Sequence, residues 1–98
     1  GVLRMTGLDM AISQISARKY PKLCQVLIEY KKASETLYSP TKSEVAKILN
    51  QISVIEMYRR AKDLDGETRS ILNDLSFELC DKANTYFYMW GELMAENG

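Results

Sequence analysis

Apolar residues in this chain recur three and four apart along its whole length, which is the spacing of amphipathic helices. Met5, Leu8, Ile12 and Ile15 form the first such set and predict a short helix from about Leu8 to Arg18. Tyr20, Leu23, Leu27, Tyr30, Ser34 and Leu37 continue the alternation one residue out of phase. Pro21 disfavours helical geometry at Tyr20. A break near Lys19 and a second helix from Pro21 to about Leu37 follow, with proline tolerated in the first turn.

Ser39-Pro40-Thr41 is the clearest punctuation. Thr41 and Glu44 have the spacing of a capping box, so a third helix is expected to start there and run to about Lys62. Asp63-Leu64-Asp65-Gly66 reads as the next turn. Asp65 can cap a fourth helix, and Glu67 faces its positive end. That helix is expected to reach about Ala95. No segment shows the two-residue alternation of a strand. The fold class is therefore all-α: one domain over 1–98, an antiparallel bundle of three long helices plus a short N-terminal one. Residues 1–7 are expected to be flexible or to come from outside the domain.

Two helices carry more apolar surface than one core requires. On the third, Val45, Ile48, Leu49, Ile52 and Ile55 share a face, whereas Val54, Met57, Tyr58, Ala61 and Leu64 point nearly the opposite way. On the fourth, Leu72, Leu75, Leu79, Tyr86, Met89 and Leu93 form the main seam, widened by Ala83 and Trp90. Projected at about 100° per residue, Phe77, Asp81, Asn84 and Tyr88 fall on the outward side. The run Tyr86-Phe87-Tyr88-Met89-Trp90 is apolar or aromatic around the full circumference, as in helices buried all round. Gly91, just after it, leaves room for another helix. Aromatic residues and Met are enriched in protein interfaces. Met57, Tyr58, Phe77, Asp81, Tyr88 and Trp90 are therefore the candidate interface residues, the partner being a second copy of the chain or another protein.

Charge changes this picture. Residues 1–62 hold eleven Lys/Arg against five Asp/Glu, and residues 63–98 hold two against eight. The net charge of zero is two opposite excesses cancelling. Asp74, Glu78, Asp81 and Glu92 line one flank of the fourth helix and are expected to meet the basic second or third helix. Glu78 with Lys82 and Glu56 with Arg60 have ion-pair spacing. Arg18, Lys19 and Lys22 near the kink, with Arg59, Arg60 and Lys62 near the end of the third helix, could contact a nucleic-acid backbone beside Tyr20 and Tyr58. The pI of about 6.5 is far from the strongly basic footprint of such proteins, so this is the alternative function.

Chemistry is sparse. The chain has no His, the commonest general base and metal ligand. Cys24 and Cys80 are read as two buried, reduced thiols, too few for a structural zinc site. No glycine-rich phosphate loop is present. No enzyme activity, catalytic residue, cofactor, metal or small-molecule substrate is expected. Apolar runs fall far short of a membrane span, and two Cys without a framework suit the cytoplasm. The function expected is a small interaction module, an adaptor, regulator or assembly subunit, self-associating through its third and fourth helices.

Overall fold

In the computed structural model, residues 7–96 are described. Four helices follow one another: α1 (Gly7–Gln14), α2 (Pro21–Glu35), α3 (Lys42–Arg60) and α4 (Gly66–Glu96). No strand occurs among the described residues. Residues 1–6, assigned above to a flexible lead, lie outside them, and Gly7 already belongs to α1.

Local chemistry sets each boundary. Helix α1 stops at Gln14, earlier than Arg18. The Ser16 hydroxyl accepts the Lys19 amide at 3.1 Å and the Ser16 carbonyl accepts the Tyr20 amide at 2.8 Å. Such local serine bonds compete with helix continuation. Helix α2 starts with Pro21 in its first turn. It ends at Glu35, short of Leu37, where the Thr36 amide and hydroxyl both turn onto the Lys32 carbonyl. At α3 the capping box forms: the Glu44 amide donates to the Thr41 hydroxyl at 3.3 Å and the Thr41 amide to the Glu44 carboxylate at 3.1 Å. At α4 the Thr68 amide donates to the Asp65 carboxylate at 2.7 Å, which is the expected N-cap.

Helix α4 has 31 residues, about 46 Å at 1.5 Å per residue. The molecule measures 45 Å along its longest axis and 21 Å along its thinnest. The radius of gyration is 14.4 Å, above the value of about 13 Å for a compact domain of this length. Helix α4 packs on α3 and α1, and α2 packs on α3 and α1. The core holds Leu23, Leu27, Ile48, Ile55, Leu72, Leu75 and Leu79 almost fully buried. Tyr30 and Tyr86 close it between α2 and α4. Burial first, and then the neighbouring Tyr86 phenol, raise the Tyr30 pKa; burial raises that of Tyr86 as well.

Helix α4 does lie on the basic α3, but the acids of its flank form no ion pair there among the described residues. The backbone of α4 packs on α3 and α1, and it reaches α2 through side chains such as Tyr86 against Tyr30. None of the ion pairs among the described residues involves Asp74, Glu78, Asp81 or Glu92; they join Lys19 to Asp65, Lys31 to Asp9 and Glu35, and Arg59 to Glu56. Glu56 pairs with Arg59, one position earlier than Arg60, because Arg59 points toward α4 and also donates to Asn73 at 3.2 Å. Cys24 is buried and Cys80 exposed, both as free thiols. The expectation of two buried cysteines fails at Cys80, which lies between the core seam and the outward face of α4.

Candidate functional site: an apolar face on α3 and α4

The end of α3 lies beside the start of α4, and one side chain secures that corner. Arg69, in the second turn of α4, donates to the carbonyls of Arg59 at 2.7 Å and Ala61 at 2.5 Å. These are orphan acceptors at a helix C-terminus, where a cation is favoured. The middle of α3 then runs past Ala83 and Phe87 of α4.

On the outer side of this pair the structure places apolar residues in water. Phe77 is 81% exposed, Tyr88 70%, Met57 67% and Phe87 61%. Phe77, Asp81, Asn84 and Tyr88 form one exposed line along α4, at the spacing the sequence indicated. Beside it, a groove of about 300 Å³ is lined by Leu49, Ile52, Ser53, Met57, Ala83 and Phe87, with Glu56 and Arg60 at its polar margin. One Glu56 carboxylate oxygen is buried without a hydrogen-bond partner, the other accepting from Arg59.

The six candidate interface residues divide. Met57, Phe77, Asp81 and Tyr88 are exposed, whereas Tyr58 and Trp90 are half-buried against the core. The aromatic run of α4 is covered on one side only: Tyr86 is buried, Met89 and Trp90 half-buried, Phe87 and Tyr88 exposed. Phe87 belongs to the aromatic run but is not among the sequence candidates, because spacing along α4 alone does not show which side of that run α3 leaves open. Its ring stands exposed at the rim of the groove that Leu49, Ile52, Ser53 and Met57 line on the α3 side.

The basic candidates also divide. Arg59 is committed to Glu56 and Asn73, and Lys19 to Asp65 at 2.9 Å. Arg18, Lys22, Arg60 and Lys62 are exposed. Because Asp65 follows Lys62 closely, its bond to Lys19 brings both basic clusters to one end of the molecule. Asp63, Asp65 and Glu67 stand among them. The Lys19 ammonium first, then the Thr68 amide and the Tyr20 hydroxyl, hold the Asp65 carboxyl well below the usual carboxylate range.

Among the described residues no three side chains of metal-ligating type converge, and no helix is long and apolar enough to cross a membrane. No protein-family model, no curated protein and no solved structure matches the chain.

Proposed function

We propose that this chain is a non-enzymatic interaction module, an antiparallel helical bundle that self-associates through the outer face of α3 and α4. The observation that carries this reading is the exposed line from Phe77 to Tyr88 with Met57 and Phe87 beside it. Large aromatic side chains and Met are the residues enriched at interface centres. Contiguous exposure of several of them marks a surface with a partner. Light scattering on a sizing column tests it. The expected mass is about twice the chain mass of 11.2 kDa. Phe77→Glu with Tyr88→Glu is expected to return the monomer with its helicity intact. A wild-type monomer at high protein concentration would sink the proposal.

One observation favours a second reading, a nucleic-acid-binding module: the two basic clusters share one end of the molecule. Arg18, Lys22, Arg60 and Lys62 would then contact phosphates. This reading expects binding that falls steeply with salt and is lost on Arg60→Glu with Lys62→Glu. Binding that ignores salt, or no binding at low salt, would remove it.

A further inference from the structure

The exposed line on α4 has two unlike borders. Turning round the helix from Phe77 at about 100° per residue, one meets Asp81, then Asp74, Glu92 and Glu78. All four are exposed, and none has an ion-pair partner among the described residues. Turning the other way, one meets Cys80 and Phe87, then the groove, then Met57 and Arg60 on the outer edge of α3. Arg60 is exposed and also lacks an ion-pair partner there. Lys42 precedes Arg60 by eighteen residues, about five whole turns, so both cations stand on one line of α3.

Their heights correspond to those of the acids. Arg59 bonds to Asn73, and the Arg60 side chain lines the same groove as Ala83, so it lies along the stretch from Asp74 to Asp81. The chain direction of α3 past Ala83 and Phe87 puts Lys42 level with the far end of α4, near Glu92. The face thus carries an acidic border and a basic border with matching levels.

We infer that the occupant of this face is a second copy whose α4 lies parallel to the first, with the twofold axis running along the helices. The inference rests on the self-association proposed above. Two copies face to face can be related by an axis along the helices or across them. With the axis along them, each border meets the opposite border: Arg60 faces Asp74 and Asp81 of the other copy, and Lys42 faces Glu92. With the axis across them, each border meets itself and carboxylates oppose carboxylates, which is unfavourable. In the parallel arrangement Phe77 meets Phe77 and Tyr88 meets Tyr88, an isologous contact. Gly91 lies on this face, and no atom stands within 4 Å of where its Cβ would be. The second backbone can approach there.

Thiol cross-linking in solution tests the geometry. Cys80→Ser removes the exposed thiol, and Gly91→Cys places a new one on the face without a clash. The parallel dimer brings the two introduced thiols together, so a short bis-maleimide is expected to give a covalent dimer. In the crossed arrangement position 91 faces position 74, and two copies of position 91 are about 25 Å apart. A sample that scatters as a dimer but links only when Gly91→Cys is mixed with Asp74→Cys overturns the inference and leaves the self-association standing. A monomer in light scattering overturns both. As a second readout, Arg60→Glu is expected to weaken the dimer roughly tenfold, since each pair counts twice. Asp74→Lys with Asp81→Lys should restore it. No weakening, or no restoration, speaks against the parallel pairing.

Discussion

The Tyr20 hydroxyl donates to the Asp65 carboxylate at 2.9 Å and accepts from the Asp65 backbone amide at 3.2 Å. Lys19 reaches the same carboxylate oxygen as Tyr20 does, while the other oxygen caps α4. One aspartate therefore starts the fourth helix and anchors the break before the second. Asp65→Ala is expected to lower Tm by about 5 °C, the scale of a lost cap in a domain this size. Tyr20→Phe should lose part of that, and thermal melts of the two variants check the order.

Acid should expose the same feature. The Asp65 carboxyl is held below its ordinary value in the folded chain, mainly by Lys19. A depressed value contributes stability that is present above the unfolded carboxylate pKa, about 3.9. That stability is lost as pH falls from there toward the folded value. Urea midpoints are expected to decline below about pH 4. Asp65→Asn should flatten this decline, and an unchanged slope would contradict the assignment.

The alkaline side belongs to Tyr30 and Tyr86. Burial raises both phenols in the folded chain. A raised value gives stability that is complete below the unfolded tyrosine pKa, about 10, and is lost as pH climbs past it. Denaturation at increasing pH is expected to show this loss. It should be smaller in the Tyr30→Phe, Tyr86→Phe double variant.

Arg69→Ala is expected to cost about 2 kcal/mol, because it strips charged donors from partly buried carbonyls. Arg69→Lys should recover less than half, since an ammonium cannot reproduce the two-pronged contact. Urea midpoints of the three proteins decide this. If lysine restores the parent value, charge at the helix end is what matters and the fork is not.

Core and face should separate cleanly under mutation. Leu79 is almost fully buried, and Leu79→Ala is expected to cost about 3 kcal/mol of stability. Phe77, two positions earlier, points to solvent, so Phe77→Ala should leave stability within about 0.5 kcal/mol while weakening self-association. Chemical denaturation and light scattering on both variants measure the contrast.

Much of this architecture was legible in the residues. The capping box at Thr41 and Glu44, the cap at Asp65, the break before Pro21 and the outward line of Phe77, Asp81, Asn84 and Tyr88 all follow from local spacing. What was not legible depends on tertiary contact. Nothing local to Arg69 says that it turns back onto α3. Glu56 chooses Arg59 over Arg60 because Asn73 of α4 holds the guanidinium, a partner that spacing along one helix cannot supply. The acidic flank of α4 is paired with basic helices on charge alone; α4 does lie on basic α3, but Glu78 sits beside Gly7 of α1 and near Tyr30 of α2, with no cation in ion-pair reach among the described residues. Cys80 reads as core because its context is apolar and a free thiol behaves as a small hydrophobe; one helical position after buried Leu79, it turns outward.

Arg69 grips carbonyls ten and eight residues behind it, whereas the tie from Tyr20 to Asp65 spans 45 residues. Short loops cost less entropy to close than long ones. The corner between α3 and α4 is therefore expected to form early in folding, with the N-terminal helices docking onto it afterwards. In kinetic terms, Arg69→Ala should mainly slow folding and Tyr20→Phe should mainly speed unfolding. The reverse pattern in stopped-flow chevrons would place the nucleus at the N-terminal half.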